Sequence, residues 1–270
     1  IRAQTSQGLI GPITMGDTKG YLYDAAYSDG YRDKLFDLMV KGKKQKENSA
    51  ELHLKAEPSV AKWFKKEKPV ISSRVLNAEQ SNTSIIYLQR YFLKLYRKID
   101  HIINPDLEIT RFLTEKAQFQ NVPQYAGNIA IIDGKKDPLV LAMMQEMIPN
   151  QGDAWVYMKD VINRYFERVS LKFKDAKVPS LKGSLAEPVT FEKLSDDLKT
   201  LLSGIPAERA SLLGTRTAEM HIALASHPDE PDFGSENFSL HYQRSLYSSL
   251  QSLVRSAYQS LDKKMSALPD

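Results

Sequence analysis

The spacing of apolar residues changes near residue 150, and this change limits the folds open to the chain. Before it, stretches such as "AELHLKAE" (50–57) and "YFLKLY" (91–96) carry the alternating or β-rich patterns typical of strands. After it, apolar residues recur at helical spacing, beginning with Trp155, Met158 and Ile162. We therefore predict an α+β protein in which a strand-rich part precedes a helical part.

Three blocks are predicted along the chain, at residues 1–72, 73–150 and 151–270. The predicted elements of the first block are a strand in 20–28, a helix over 30–40, a strand over 50–57 and a charged linker over 65–73. The second block has strand candidates at 74–78, 84–88 and 91–96, followed by a helix and a hairpin.

Local signals define that helix and that hairpin. Asn104 suits the N-cap and Pro105 the first helical position. The segment "DGKKD" (133–137) predicts a loop joining two strands into a hairpin. In the third block, Asp153 is a candidate helix cap. We interpret the apolar stripes of this block, which include Leu213 and Leu250, as core positions.

Composition excludes several classes of protein. The 270 residues contain no cysteine, so disulfides and thiolate metal sites are impossible. No apolar run is long enough to span a bilayer, and we expect a cytoplasmic protein without a membrane partner. The densest basic run, "KGKKQK" (41–46), lacks interleaved aromatic residues. We interpret it as a solvated loop and predict no nucleic-acid partner, since a net charge of +4 is modest.

Lys94 is the first chemical anomaly, because it lies mid-run in the apolar strand "YFLKLY". A buried ammonium needs a partner or a ligand, unless the strand is an edge from which the side chain reaches water. Glu108, on the partly apolar face of the following helix, is the candidate partner, and Glu115 is the second choice. Alternatively, either glutamate is simply a solvated helix charge.

The polar stretch "AEQSNTS" (78–84) comes before the strand candidate at 84–88. Its side chains offer small hydrogen-bond donors at Ser81, Asn82, Thr83 and Ser84, although it contains no glycine. An ordinary hairpin loop is the alternative interpretation.

Long motifs in this region resemble those of bacterial maltokinases, which are ATP-dependent kinases of maltose often fused behind trehalose synthase. The motifs are "AEQSNTSIIY", "FLKLYRKI", "INPDLEITRFLTEK", "FQNVPQYAG", "MQEMIPNQGDAW", "GTRTAEMHIALAS" and "FSLHYQRSLYSSLQSLVR". The resemblance covers about residues 74–260. It implies a kinase-like fold, similar to aminoglycoside phosphotransferases. In that fold an N-terminal cap precedes a strand-rich ATP lobe and the first helices of a helical lobe.

The resemblance also implies roles for particular residues. Lys94 resembles the lysine that binds the ATP phosphates, and Glu108 the glutamate that braces it. The phosphate loop corresponds to Ser81, Asn82, Thr83 and Ser84, and the hinge that meets adenine to Gln145, Glu146, Met147 and Ile148. Asp153, just past this hinge, could face the ribose, although we favour its role as a helix cap. ATP, Mg²⁺ and maltose are the expected ligands of the parent protein, and a trehalose synthase domain is a possible partner.

The catalytic loop of the family, a His-Gly-Asp motif, does not occur in the sequence, and none of the five histidines, including His221, precedes Gly-Asp. Asp232 lies in an Asp-Phe-Gly tripeptide that resembles the metal motif of protein kinases. Its turn-rich surroundings predict a helix connector instead. We therefore expect the chain to end before the catalytic and metal-binding carboxylates, and to lack kinase activity by itself. The alternative is a non-catalytic docking module of a trehalose synthase.

Overall fold

The computed structural model describes residues 8–76, 82–100, 102–134, 136–172, 189–202, 204–235 and 237–265. Contacts between residues divide the chain into two units. One unit comprises residues 1–224 and the other residues 225–270. The first unit contains every described strand and most of the helices, and the candidate site lies within it.

The first unit combines nine strands with six helices among its described residues. The strands are β1 Leu9–Met15, β2 Thr18–Tyr23, β3 Lys44–Glu47, β4 Ala50–Ala56, β5 Ser73–Leu76, β6 Asn82–Tyr87, β7 Tyr91–Tyr96, β8 Tyr125–Asp133 and β9 Leu139–Glu146. The helices are α1 Asp29–Val40, α2 Pro58–Glu67, α3 Pro105–Arg111, α4 Ala154–Lys172, α5 Asp196–Leu202 and α6 Gly204–Leu224. Single helical turns occur at Ala25–Tyr27, Phe112–Lys116 and Phe191–Lys193.

Seven of the strands form one antiparallel sheet in the order β3-β4-β8-β9-β7-β6-β5, while β1 and β2 form a separate hairpin. The predicted α+β composition is therefore observed. The sheet crosses the predicted boundary at residue 73, because β3 and β4 lie beside β8. Whether the three predicted blocks act as separate domains stays a prediction.

One face of the sheet packs on α1 and α2. The core there is built from Phe36 and Met39 of α1, Val60 of α2, and inward-facing strand residues such as Leu93 and Met144. Phe36 stacks on Tyr87 with ring centroids 4.7 Å apart. Because side chains alternate along a strand, the residues between these core positions point to the opposite face.

Buried Arg32 ties α1 to the sheet. Its guanidinium donates to Ser73 Oγ at 2.9 Å and to the carbonyl of Ala26 at 2.8 Å, and it also pairs with Asp29. The Tyr87 hydroxyl donates to the carbonyl of Arg32 at 3.0 Å. A buried guanidinium is tolerated because its donors are satisfied.

Several predicted elements are confirmed. The strands over 50–57 and 91–96, the helix over 30–40 and the hairpin of β8 with β9 are present. Asn104 caps α3 by accepting the backbone N–H of Leu107 at 3.1 Å.

Other local predictions are wrong. Residues 44–46 of the basic run belong to β3 rather than to a loop, although residues 41–43 do form an exposed loop. Residues 65–67 of the predicted linker belong to α2. The strand predicted in 20–28 ends at Tyr23, after which a helical turn begins at Ala25.

The predicted helices of the third block are present, but their interpretation as core elements is wrong. Trp155, Phe166 and Leu213 are all mostly exposed. Helix α5, with Leu198 and Leu201 buried, contacts α4 and α6, and α6 also contacts the helical turn Phe112–Lys116. At about 1.5 Å per residue, seven residues of α5 cover only part of helices of 19 and 21 residues.

The second unit contains α7, Leu240–Lys264, which confirms the long helix predicted there. Ser239 caps it by accepting the N–H of Tyr242 at 3.2 Å. The apolar stripe of α7, including Leu250 and Leu253, is exposed. None of the helices in the described ranges is apolar over enough length to cross a membrane.

Candidate functional site

Lys94 lies on an interior strand of the sheet. Its strand, β7, pairs with β6 on one side and with β9 on the other. The alternative of an edge-strand lysine is therefore wrong. Ser84 and Met143 lie directly opposite Lys94 on the two neighbouring strands, and opposed residues of antiparallel strands share a face.

We use the term Lys94 face for the side of the sheet that faces away from α1 and α2. In its central strands this face includes Ser84, Phe92, Lys94, Met143 and Gln145. Ser84 and Met143 are fully buried, whereas the Lys94 side chain keeps 21% of its surface exposed. The ammonium therefore reaches the boundary between the packed sheet and the solvent.

The ammonium of Lys94 is paired with a carboxylate. Lys94 Nζ lies 3.0 Å from Oδ2 of Asp106, in the first turn of α3. The hydroxyl of Tyr96 donates to the same oxygen at 3.0 Å. Lys94 and Tyr96 are two residues apart on β7, so both side chains project from the same face toward the start of α3.

The predicted partner of Lys94 was Glu108, and in the structure the salt bridge forms with Asp106 instead. Two residues of an α-helix are separated by about 200° of rotation, so both carboxylates cannot face the strand together. Glu115, the second choice, pairs with Arg111 at 3.1 Å. The role of Glu108 in nucleotide binding stays a prediction.

The predicted phosphate loop is only partly described. Asn82, Thr83 and Ser84 belong to β6, so the loop before this strand is shorter than predicted. Ser81 lies outside the described residues. Thr83 is buried and accepts a hydrogen bond from Arg97 at 3.2 Å. The Ser84 hydroxyl is buried without a hydrogen-bond partner among the described residues.

The predicted hinge, Gln145–Ile148, spans the end of β9, since its first two residues belong to the strand. The N–H of Glu146 donates to the carbonyl of Gln124 at 2.8 Å, and the N–H of Met147 donates to the carbonyl of Arg90 at 2.7 Å. The carbonyl of Ile148 accepts from the side-chain amide of Asn150 at 3.2 Å. The N–H groups of Glu146 and Met147 are thus already used in hydrogen bonds within the protein.

Two further aspartates have local roles. Asp153 Oδ1 accepts the N–H of Trp155 at 2.6 Å, which confirms the predicted cap of α4. Asp232 lies in a turn between α6 and α7. This turn is closed by hydrogen bonds from the N–H groups of Phe233 and Gly234 to the carbonyl of Glu230.

In the described part of the chain, no three histidine, aspartate or glutamate side chains form a group suited to a metal ion.

Sequence reasoning missed Asp106 and Tyr96 as partners of Lys94. Tyr96 had a usable signal, since it is two residues from Lys94 and therefore shares its strand face. Asp106 was recognised only as a favourable charge at the start of a helix. Its contact with Lys94 depends on where α3 crosses the sheet, and that position is a tertiary property.

Solved structures to which the chain is similar include three of a sugar kinase. They are structures of glucosamine kinase, one of them in complex with glucosamine, ADP and inorganic phosphate. That complex has a TM-score of 0.42 and 20% identity over 74% of this chain, and crystal form B has 0.43 and 18% over 81%. The chain spans 37% and 46% of the length of those two proteins. No protein-family model matches the sequence.

Proposed function

We propose that this chain is the cap and ATP-binding part of a maltokinase, which converts ATP and maltose into ADP and maltose 1-phosphate. The observation that carries the proposal is Lys94. It is a lysine on an interior strand, half-buried and paired with a carboxylate from the following helix. The maltokinase-like motifs surround this lysine.

The ammonium of Lys94 suits a phosphate contact. A lysine ammonium has three N–H donors, and Asp106 accepts from one of them. The remaining donors can serve the α- and β-phosphate oxygens of ATP, as a strand lysine does in kinases. Partial burial strengthens this contact, because charges interact more strongly where water is scarce.

Adenine would contact the end of β9, over Gln145–Ile148. The N–H groups of Glu146 and Met147 already donate within the protein. We therefore assign adenine recognition to carbonyl oxygens of this segment and to the N–H of Ile148, whose side chain is exposed. Asn82, Thr83 and the adjoining loop would cover the phosphates.

The described residues do not form a Mg²⁺ site, and no step through the metal is assigned to them. The base that activates the sugar hydroxyl is likewise assigned to the parent protein and not to a residue of this chain. We expect the isolated 270 residues to give no maltose-dependent ADP release. ADP release that requires maltose and disappears in Lys94→Ala would contradict this expectation.

Equilibrium titration with ATP tests the nucleotide proposal. We expect saturable binding that Lys94→Ala weakens at least about tenfold, since it removes a charge-assisted contact. Lys98→Ala is the matched control, because Lys98 is four residues away with its side chain 89% exposed. Equal effects of the two substitutions, or no binding of ATP to the wild-type chain, would refute the proposal.

A docking module of trehalose synthase is the second candidate, and one observation favours it. The hairpin of β1 and β2 exposes apolar side chains, among them Ile10 at 65% and Met15 at 70%. Isolated two-stranded hairpins are marginally stable, so a partner surface would stabilise this one. The docking function is favoured if ATP fails to bind and if Lys94→Ala and Glu108→Ala both leave the result of the ATP titration unchanged.

A further inference from the structure

The Asp106 carboxylate receives two hydrogen bonds on one oxygen from the same strand. Lys94 Nζ and the Tyr96 hydroxyl both lie 3.0 Å from Oδ2 of Asp106. The lysine supplies the charge, and the tyrosine supplies a neutral donor that adds no repulsion to the ammonium. Together they fix the carboxylate from two directions on the Lys94 face.

The backbone around Asp106 is also held in place by the cap of α3. Asn104 caps α3 through the N–H of Leu107 at 3.1 Å, and Pro105 occupies the start of the helix. A carboxylate in the first turn is favoured by the helix dipole. The position of Asp106 is therefore set by its own helix, independently of the contact with Lys94.

We infer that Asp106 and Tyr96, and not Glu108, are the positioning residues that hold Lys94 for the nucleotide phosphates. This inference rests on the proposed function. Asp106 engages one N–H of the ammonium and directs the other two away from the helix. Tyr96 acts through Asp106, since its hydroxyl donates to the carboxylate.

Site-resolved acylation of lysine amines tests this inference on the full chain. The labelling rate of Lys94 is measured by peptide mass spectrometry, with and without ATP, and Lys98 serves as an internal reference. The variants are Asp106→Asn, Tyr96→Phe and, as the rival positioning residue, Glu108→Gln. Circular dichroism verifies that each variant is folded.

We expect Asp106→Asn to accelerate Lys94 labelling about fivefold, because the carboxylate no longer engages the amine. Tyr96→Phe should accelerate it about twofold, and Glu108→Gln should leave the rate unchanged. The ATP concentration that half-protects Lys94 should rise about five- to tenfold in Asp106→Asn. If Asp106 only stabilised α3, its substitution would not selectively change the labelling rate of Lys94.

Two different failures can be told apart. If ATP protects wild-type Lys94 but Asp106→Asn behaves like Glu108→Gln, the inference is overturned and the proposed function stands. A larger effect of Glu108→Gln than of Asp106→Asn would likewise overturn the inference alone. If ATP does not protect Lys94 even in the wild-type chain, the proposed function fails, and the positioning role fails with it.

Discussion

Ser84 lies directly opposite Lys94 in the pairing of β6 with β7. The two residues share one face of the sheet, yet Ser84 is fully buried whereas the Lys94 side chain is partly exposed. The length of the lysine side chain accounts for this difference, since its charged end extends past the packed layer. Of this opposed pair, Lys94 is the residue able to meet a ligand.

Ser84→Ala should leave ATP affinity within about twofold of wild type. It should also leave the free energy of unfolding unchanged or raise it by up to about 1 kcal/mol, because an unsatisfied buried hydroxyl is costly. Chemical denaturation and ATP titration measure both quantities. Thr83→Val is the control, since it loses the hydrogen bond to Arg97 and should destabilise by about 1 kcal/mol. A large loss of ATP affinity in Ser84→Ala would show that the hydroxyl reaches the nucleotide.

Buried tyrosines should make the protein less stable in alkali. Burial raises the pKa of the Tyr87 and Tyr125 phenols above their usual value of 10. The tyrosines of the unfolded chain therefore lose their protons at lower pH than the buried ones. The contribution of these two phenols to the free energy of unfolding is fully present below pH 10 and falls as the pH rises above it. The slope is at most about 1.4 kcal/mol per pH unit for each tyrosine.

Tyr87→Phe should remove one such contribution and flatten the alkaline decline of the unfolding free energy. Urea titrations between about pH 9 and pH 11.5 provide the measurement. Tyr258→Phe is the control, because Tyr258 is exposed on α7. An unchanged slope in Tyr87→Phe would contradict the assignment.

Gly127 should tolerate no side chain. A Cβ there would lie 2.3 Å from the carbonyl oxygen of Lys55 and 2.9 Å from Cα of Ala56, and its φ is +155°. Both obstacles are backbone atoms of β4 that cannot rotate away. We expect Gly127→Ala to destabilise the fold by about 2–4 kcal/mol in thermal or chemical unfolding. Gly20→Ala, whose Cβ would lie 3.9 Å from Cγ2 of Ile13, should cost under about 1 kcal/mol.

The turn between β6 and β7 should become more stable with glycine. Leu88 and Gln89 have φ values of 55° and 52°, a conformation that favours glycine or asparagine. Gln89→Gly should therefore stabilise the protein by about 0.5–1 kcal/mol, measured by chemical unfolding. Gly16→Ala, at φ 56°, is the reverse control and should destabilise it by a similar amount. A loss of stability in Gln89→Gly, or a gain of stability in Gly16→Ala, would contradict this view of the turn.

The sequence predicted those elements whose signals are local. Alternation identified β4, a run of apolar and aromatic residues identified β7, and the Asn104–Pro105 pair identified the start of α3. Helix α2 was missed because its lysines suggested a linker, although Pro58 at its first position and the spacing of Val60, Trp63 and Phe64 are helical signals. The lysines at its end lie in the last turn, where cations are favourable.

Tertiary features escaped prediction for a physical reason. The position of β4 beside β8 joins segments more than 70 residues apart, and no periodicity encodes such a pairing. The pairing of Lys94 with Asp106 rather than Glu108 likewise depends on how α3 crosses the sheet. An apolar stripe on a helix is buried only where another element packs against it. The spacing of apolar residues therefore predicted the helices of the third block but not the burial of their stripes.

The most direct test of the central claim is to map which face of the sheet responds to ATP. Methionine methyl groups suit this test, because Met143 lies opposite Lys94 whereas Met39 of α1 packs on the other face. In a methyl NMR titration of the full chain, we predict that ATP shifts the resonances of Met143 and of Met147 at the hinge. Met39 should not respond, and Lys94→Ala should move the shifts to at least about tenfold higher ATP concentration. Shifts confined to Met39, or an unchanged spectrum at saturating ATP, would contradict nucleotide binding on the Lys94 face.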